Sequence, residues 1–164
     1  RVGILSDGTI MEEGELDKVY DEPGNSASME TLGFPSANFL DGLMTRSDTE
    51  SVAQCAIGSF PMNSSNYEGA VVLGIRPEHI EIQSDDSVQC FLSQVLFTED
   101  VGGSEIIYVE SNNERLVLVL GASDPQLSKV RTGEFVASVR PENIVAFDPY
   151  TLQRISEGKE SSRV

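Results

Sequence analysis

The amino-acid sequence predicts a mainly β protein, a small barrel or sandwich built from two repeated β units. After residue 38, short apolar segments rich in β-branched residues alternate with turn residues. An echo is the second observation: "GIRPEHI" at 74–80 recurs as "SVRPENI" at 138–144. Each Arg-Pro-Glu also follows a Phe-Leu segment, "FLDGLM" at 39–44 and "FLSQVL" at 91–96. Each half therefore reads as a strand, a hairpin and an apolar strand that runs into Arg-Pro-Glu.

Residues 1–35 predict a hairpin followed by two short helices. The pair Asp7-Gly8 lies between apolar segments and suits the positive φ angles of a tight type I′ turn. Apolar residues at i, i+3 and i+4 then indicate a short helix that Pro23 ends, and a second helix is predicted over 26–32. The segment is acidic and has too few apolar residues for a core of its own, so it must pack on the rest of the chain. The first helical stripe consists of Leu16, Val19 and Tyr20, and Gly33 is the predicted C-terminal cap of the second helix.

From residue 38 onward the sequence predicts eight short strands. A hairpin turn is placed at Asn112-Asn113, because asparagine accepts the left-handed backbone conformation that such turns need. The polar residues after Ser156 are expected to be disordered. The predicted strands cover 39–44, 52–60, 70–75, 88–97, 105–111, 115–120, 134–140 and 144–147.

Composition and charge exclude several classes of partner. Asp and Glu outnumber Lys and Arg by 27 to 11, which gives a net charge of −16. Such a field repels phosphate backbones and anionic lipid headgroups, so no nucleic-acid partner is expected. No apolar run reaches about 18 residues, the length needed to span a bilayer.

Cys55 and Cys90 lie in separate apolar runs and are predicted to be buried, reduced thiols. With His79 as the one histidine, no metal site is expected.

The repeated Arg-Pro-Glu is the main candidate for a functional element. Proline cannot donate to a sheet ladder and holds the preceding residue extended, so each copy is predicted to stop a strand. The two matched strand ends are then expected to lie in equivalent surroundings and to hold a crossed Arg–Glu network. A structural, interface or effector-contact role is predicted rather than catalysis, because the sequence marks no nucleophile or general base beside the carboxylates. The candidate contacts are Arg76, Glu78 and His79 in the first copy and Arg140, Glu142 and Asn143 in the second.

The order of motifs along the chain resembles one protein family. A hairpin turn, a glycine, a helix with tyrosine, Pro-x-Asn, a second glycine and Asn-Phe-Leu come first, and "LGIRPEHI" and "VRPENIVAFDPYTLQRI" follow. This order resembles the region that follows the catalytic part of ATP-binding subunits of ABC importers, especially the sugar-uptake type. Two positions depart from the family pattern: Glu15-Leu16 stands where Thr-Pro is usual, and Ala27 where phenylalanine is usual. The matching residues are Asp7-Gly8, Gly14, Tyr20, Pro23, Asn25, Gly33 and Asn38-Phe39-Leu40.

The resemblance implies a domain organisation. Residues 1–35 correspond to the last edge of an ABC nucleotide-binding domain. Residues 36–156 correspond to a regulatory domain of the transport-associated, OB-like or MOP-like type, which is a small β-barrel. Its repeat halves are expected at about 38–83 and 88–148, and 157–164 is expected to be a disordered tail. By the same resemblance, the intact subunit hydrolyses ATP with Mg²⁺ at the cytoplasmic face of the membrane and drives solute import through membrane-spanning subunits.

The chain itself lacks the catalytic motifs of that family. It contains no G-x-x-x-x-G-K-S/T, and the signature motif, Walker B carboxylates and switch histidine are also absent. We therefore expect neither ATP hydrolysis nor a bound cofactor in this chain. The expected partners are its own nucleotide-binding domain, a second copy, the importer subunits, and an inhibitory protein or small effector. Two alternatives stay open: a purely structural extension, and a small-anion, molybdate-like binding module, which "SANFLDG" faintly resembles without the arginine of that motif.

Overall fold

The structure is a computed structural model that describes residues 1–6, 8–47, 50–63, 65–82 and 89–159. Within these residues the chain forms thirteen strands in three sheets and three short α-helices. The mainly β class and the short N-terminal hairpin and helices predicted from the sequence are confirmed.

The N-terminal segment has the predicted order of elements. β1 (Val2–Ser6) and β2 (Thr9–Gly14) form an antiparallel hairpin, and α1 (Leu16–Asp21) and α2 (Ser26–Thr31) follow. Of the predicted turn pair, Gly8 has a φ of +76°, and Asp7 lies outside the described residues. The buried side chain of Asn25 caps α2 by accepting a hydrogen bond of 3.0 Å from the backbone N–H of Ser28.

The remaining elements form two β units with the same order. Each unit contains a strand, a hairpin, a strand that enters Arg-Pro-Glu, a 3-10 turn and a short closing strand. The first unit comprises β3 (Asn38–Arg46), β4 (Ser51–Cys55), β5 (Gly58–Met62), β6 (Gly69–Ile75), the 3-10 turn Pro77–His79 and β7 (Ile80–Ile82). The second comprises β8 (Cys90–Asp100), β9 (Ser104–Ser111), β10 (Glu114–Gly121), the additional helix α3 (Leu127–Val130), β11 (Glu134–Val139), the 3-10 turn Pro141–Asn143 and β12 (Ile144–Phe147). A last strand, β13 (Arg154–Glu157), follows the second unit.

The two units exchange their closing strands. The six-stranded sheet has the order β13-β12-β6-β3-β4-β5, and the five-stranded sheet has the order β10-β9-β8-β11-β7. In the second sheet Ile80 of the first unit pairs with Val139, and in the first sheet Ile144 of the second unit pairs with Ile75. Each short strand after a 3-10 turn therefore completes the sheet of the other unit. The duplication predicted from the Arg-Pro-Glu echo is confirmed, and the exchange is its new feature.

The Phe-Leu echo identifies the correct strands in the wrong register. Leu40 lies opposite Leu73, three residues before the first arginine, whereas Phe91 lies opposite Ala137, three residues before the second. The structural counterpart of Phe91 is therefore Leu40 and not Phe39. Both Leu40 and Phe91 are buried, whereas Leu92 is exposed. A shift of one residue moves a side chain to the opposite face of a sheet, so burial shows the true register.

The segment predicted as one strand over 52–60 is instead the hairpin β4–β5. Cys55 pairs with Gly58 across the two-residue turn Ala56-Ile57, and Gly58 has a φ of +147°. The turn at Asn112-Asn113, which was predicted, occupies the equivalent place in the second unit. The first turn escaped prediction because its residues are apolar, and Ile57 is buried in the core.

The tail predicted to be disordered is paired up to Lys159. Glu157 ends β13, Gly158 bridges Met62 of β5, and the backbone N–H of Lys159 donates to the carbonyl of Pro61 at 2.8 Å. The prediction is wrong for these residues because the contacts are backbone hydrogen bonds, which a polar side-chain pattern does not reveal. β13 thereby lies between β12 and β5 and nearly closes the six-stranded sheet. Residues 160–164, the rest of the predicted tail, lie outside the described residues.

One buried amide joins the two sheets. Asn38 at the start of β3 accepts a hydrogen bond from the backbone N–H of Val117 at 2.7 Å and donates to the carbonyls of Val117 and Ile75. Its side chain thus provides hydrogen-bond partners for the backbone N–H and C=O of Val117, which lies on the edge strand β10.

The two cysteines, Cys55 and Cys90, are half-buried and no disulfide joins them. Burial raises the pKa of the Cys55 thiol.

Candidate functional site

The two Arg-Pro-Glu turns meet the N-terminal segment around a cleft of about 200 Å³, which we name the junction cleft. It contains four of the six candidate residues from the sequence analysis, whereas Glu78 and Arg140 do not line it. The N-terminal segment contributes one wall, the first turn a second, and the second turn with β12 the third. The lining residues are Tyr20, Asp21, Pro23, Met29, Arg76, His79, Glu142, Asn143 and Val145.

The backbones of the two turns are nearly identical. Arg76 has φ −72° and ψ 144°, and Arg140 has φ −79° and ψ 137°, because the following proline excludes the helical conformation. Each proline then opens a 3-10 turn. The N–H of His79 donates to the carbonyl of Arg76, and the N–H of Asn143 to that of Arg140, both at 3.0 Å. The strand-stopping role predicted for Arg-Pro-Glu is therefore confirmed.

The Arg76 side chain ties the N-terminal segment to the barrel. It is 3% exposed, and its guanidinium donates to the backbone carbonyls of Tyr20 and Leu32, each at 2.7 Å. Tyr20 lies in the last turn of α1 and Leu32 is the C-cap of α2, where carbonyls lack helical partners and favour a positive charge. The guanidinium carbon also lies 3.5 Å from the centre of the Tyr20 ring, which is a cation–π contact. We name this set of contacts the arginine clamp.

Glu78 supports the arginine clamp from outside. The Tyr20 hydroxyl donates to the Glu78 carboxylate at 2.5 Å, so the exposed glutamate orients the ring on which Arg76 lies. Burial and, secondly, this hydrogen bond raise the pKa of Tyr20. The sequence analysis placed Tyr20 on a helical stripe but gave it no part in the site, because nothing local marks a tyrosine as the partner of an arginine 56 residues away.

Arg140 does not repeat the arrangement of Arg76. Its side chain is 48% exposed, and its Nε lies 3.9 Å from the carboxylate of Glu81. An exposed pair of this kind contributes less than about 1 kcal/mol. The predicted equivalence of the two arginine surroundings is therefore wrong. Of the predicted crossed Arg–Glu network, the structure shows the ion pair of Arg140 with Glu81, which joins the two units.

The asymmetry arises because α2 covers only the six-stranded sheet, over β6 of the first unit and β12 of the second. Met29 is 2% exposed and packs with Val145 and Phe147. A Cβ on Gly74 of β6 would lie 2.6 Å from the Met29 sulfur, so glycine leaves the room that the methionine needs. The equivalent position in the second unit is Ser138, whose side chain takes up the space that a glycine would leave open. The sequence analysis missed Met29 and Gly74, although a glycine inside an apolar strand is a known sign of close approach.

His79 and Asn143 of the junction cleft have unused polar atoms. His79 is half-buried, and its Nδ1 is buried without a hydrogen-bond partner among the described residues. Asn143 is the matching residue of the second turn and is also half-buried. Within the described part of the chain its amide makes no side-chain hydrogen bond. The Asn143 amide is therefore open to a bound molecule, whereas the Nδ1 of His79 is buried and offers no surface to one.

The packing of Met29 into the space left by Gly74 gives a testable prediction. Gly74→Ala is expected to lower the free energy of unfolding by about 1–3 kcal/mol, because the added methyl group overpacks the contact. Adding Met29→Ala should recover part of that loss, since it removes the atom that clashes. Urea unfolding of the single and double variants measures this coupling. Gly121→Ala is the matched control, as no atom lies within 4 Å of the new Cβ; a loss there equal to that of Gly74→Ala would contradict the prediction.

Comparison with known proteins finds relatives of one kind. No family model matches the chain. An sn-glycerol-3-phosphate import ATP-binding protein of Ruegeria sp. is 29% identical over 163 residues, which cover 96% of this chain and 42% of the relative. An alpha-glucoside transport ATP-binding protein of Rhizobium meliloti is 25% identical over 142 residues, or 83% of this chain and 38% of the relative. The chain is a homologue of ABC-importer ATP-binding proteins. A further relative, an uncharacterized ABC transporter ATP-binding protein of Bacillus subtilis, is 24% identical over 168 residues, which cover 94% of this chain and 45% of the relative.

The family resemblance stated from the motifs is thereby confirmed, and this importer homologue spans less than half the length of the relatives it matches. A solved structure, that of the cytoplasmic molybdate-binding protein ModG with molybdate bound, matches with a TM-score of 0.54 and 9% identity. The match covers 68% of this chain and 96% of ModG. At this identity the likeness shows the fold alone, and it confirms the small OB-like or MOP-like barrel. No described helix of the importer homologue has the length and apolarity to cross a membrane.

Proposed function

We propose that this chain is a non-catalytic regulatory and dimerisation domain of the ATP-binding subunit of an ABC importer. Residues 1–35 are then the edge of the nucleotide-binding domain, and residues 36–156 are the regulatory barrel. Support comes from the homology to importer ATP-binding proteins, from the absence of a P-loop in the sequence, and from the way the two parts are joined.

The arginine clamp is the observation that carries the proposal. A regulatory domain influences a catalytic domain only if a shift in its own conformational equilibrium also shifts the conformational equilibrium of the catalytic domain. A buried guanidinium with two 2.7 Å hydrogen bonds and an aromatic contact makes a stiff joint rather than a flexible linker. A movement of the barrel is therefore passed directly to the helices of residues 1–35.

The setting of the intact subunit follows from its relatives' names. We propose that the subunit hydrolyses ATP with Mg²⁺ at the inner face of the cell membrane, in the cytoplasm. It drives import of a sugar or a related small solute through membrane-spanning partner subunits. An inhibitory protein or a small effector acts on the barrel described here.

The outer face of the five-stranded sheet is the surface that suits a second copy. Leu92 and Val136 lie directly opposite each other on β8 and β11 and are 58% and 40% exposed. Further along β8 the exposed Phe97 stacks on Tyr108 with ring centres 4.2 Å apart. Exposed apolar side chains on one sheet face mark a candidate protein–protein contact. We name Leu92, Phe97, Tyr108 and Val136 the outer patch.

Charge around the outer patch suits a two-fold contact. Glu134 opens β11 and Arg131 precedes it by three residues, and both are exposed. In a symmetric dimer the same patch meets itself, so a pairing of Arg131 in one copy with Glu134 in the other would form twice. This pairing offsets part of the repulsion that a net charge of −16 imposes on two like chains.

Sedimentation velocity tests the dimer. We expect the chain to sediment as a dimer at concentrations on the order of 10–100 µM, and Leu92→Glu to make it a monomer because a charge then lies in the centre of the apolar contact. Leu43→Glu is the matched control, since Leu43 is 50% exposed on the other sheet. Monomeric wild-type protein throughout this range, or equal effects of the two substitutions, would contradict the proposal.

The two alternatives from the sequence receive less support. The carboxylates of Asp21 and Glu142 line the junction cleft, and this charge disfavours an oxyanion such as molybdate. Saturable heat on calorimetric titration with molybdate, tungstate or sulfate would restore the small-anion alternative. A purely structural extension requires a chain that neither dimerises nor binds a ligand.

A further inference from the structure

We propose that one strand edge of the five-stranded sheet binds an extended, basic segment of a partner protein by β-strand addition. The edge belongs to residues 96–100 in the second half of β8, and we name it the open edge. The binding surface itself does not depend on the proposed function. Only the assignment of the partner as the inhibitory protein rests on the regulatory role proposed above.

The second half of β8 lacks a neighbouring strand on one side. β11 pairs with β8 from residue 90 to residue 94, and the N–H of Val95 then donates to the carbonyl of Gly133 at 2.9 Å. On the opposite side, β9 pairs with β8 as far as Asp100. Among the residues that the structure describes, no strand pairs with 96–100 on the side where β11 has ended.

The hydrogen-bond pattern shows which backbone groups face the open edge. The N–H of Val101 donates to the carbonyl of Ser104 at 3.0 Å, so this pair is hydrogen-bonded across the hairpin. Bonded and non-bonded pairs alternate along an antiparallel ladder, which places Asp100 and Thr98 in non-bonded pairs. These two residues therefore direct their N–H and C=O groups away from β9. The groups lie in the plane of the sheet, so the open edge lies beside the outer patch, whose side chains stand on the sheet face.

The side chains along the open edge are apolar and acidic. Leu96, Phe97 and Val101 are 44%, 53% and 50% exposed, so a strand laid beside them covers apolar surface. Glu99 and Asp100 lie between them and are exposed. The sequence from 95 to 108 contains three carboxylates and no lysine or arginine. Main-chain hydrogen bonds give an added strand its affinity and the side chains its specificity, so this edge suits a strand with apolar and basic residues.

Charge favours a basic partner over a second copy of the chain. Natural proteins use charged side chains to keep strand edges from pairing with one another. Pairing of two copies here would bring the carboxylates of Glu99 and Asp100 from both chains into one short ladder, between molecules that each carry −16. The ammonium or guanidinium groups of a basic segment instead lie beside those carboxylates. The open edge thus disfavours self-association and admits a strand of opposite charge.

Binding of a designed peptide tests strand addition directly. The probe is a short, fluorescently labelled peptide of alternating lysine and valine. The reference peptide has proline in place of the central valine, which keeps the charge but removes one backbone N–H. We expect fluorescence anisotropy to show saturable binding of the probe to the 164-residue chain, and binding of the reference peptide to be weaker by about tenfold or more. In ¹⁵N NMR spectra the amide signals of residues 96–100 are expected to shift.

Two substitutions at one position separate backbone pairing from charge. Thr98→Pro removes an N–H that β9 does not use, a change that edge strands tolerate, and the proline ring obstructs an added strand. Thr98→Val keeps the side-chain shape and the N–H. We expect Thr98→Pro to weaken binding of the probe by about tenfold or more, and Thr98→Val to leave it within about twofold of wild type. Equal effects of the two variants would overturn the proposal, because attraction by charge alone would then account for binding.

The wild-type measurements are decisive even if Thr98→Pro does not fold. Equal affinity for the two peptides, or no saturable binding of the probe, also overturns strand addition. Sedimentation of the same samples keeps this proposal distinct from the dimer. A dimer that does not prefer the probe refutes the open edge but not the regulatory domain, whereas a monomer that binds the probe at residues 96–100 refutes the dimer alone.

Discussion

Arg76→Met is expected to loosen α1 and the end of α2 on the barrel and to lower the free energy of unfolding by about 3 kcal/mol. Methionine keeps the apolar stem but leaves the part-buried carbonyls of Tyr20 and Leu32 without donors, and hydrogen bonds to charged groups contribute about 1.5–3 kcal/mol each. The cation–π contact with Tyr20 is lost as well. Urea unfolding measures the loss of stability, and limited proteolysis detects the loosened segment through cleavage after Lys18.

The duplicated fold supplies the control for this prediction. Arg140→Met makes the same chemical change at the same backbone position of the other unit, where the arginine is exposed and pairs with Glu81 at 3.9 Å. We expect a change smaller than about 1 kcal/mol there and no change in proteolysis. If both variants lose equal stability, or if α1 stays protected in Arg76→Met, the arginine clamp is not what holds α1 on the barrel.

Gly158→Ala is expected to destabilise the barrel by about 3 kcal/mol or more, since overpacking costs of 1–3 kcal/mol refer to atoms that can still move aside. A Cβ on Gly158 would lie 1.6 Å from the carbonyl oxygen of Pro141, and that atom belongs to backbone. The chain must then shift, and the hydrogen bond of 2.8 Å from the N–H of Gly158 to the carbonyl of Ile144 is strained or lost. Thermal and urea unfolding measure the effect.

Hydrogen exchange makes the second prediction specific to the closing strand. Amides of β13 are expected to exchange faster in Gly158→Ala than in the wild type. Gly103→Ala serves as the matched substitution, because the added Cβ meets no atom within 4 Å. A neutral Gly158→Ala would instead favour the disordered tail that the sequence alone predicts, and would remove β13 from the barrel.

The parts of the fold that obey local rules could be predicted from the sequence. Proline lacks an N–H and holds the preceding arginine extended, so both strand exits could be predicted from "RPE". Asn112-Asn113 marks its own turn in the same way. The register of Phe39 and the hairpin at Ala56-Ile57 could not be predicted, because they depend on which side chains the opposite strand buries.

The candidate site could likewise be predicted only in part from the sequence. Arg76, His79, Glu142 and Asn143 meet at one cleft because they occupy equivalent turns, which the repeat reveals. The burial of Arg76 and the exposure of Arg140 depend instead on residues far away in the sequence, above all Met29 with its space at Gly74. The repeat in sequence gives the two turns equal backbones, but α2 packs on only one of the two sheets, so the two arginine side chains have unequal surroundings.

The exchange of closing strands also bears on the integrity of a single unit. Each copy directs its terminal strand away from its own sheet, and the edge left open is filled by the corresponding strand of the other copy. Neither half of the barrel is therefore complete when taken alone, and cutting the polypeptide between the units would leave two pieces that regain all their strand pairings only when intertwined.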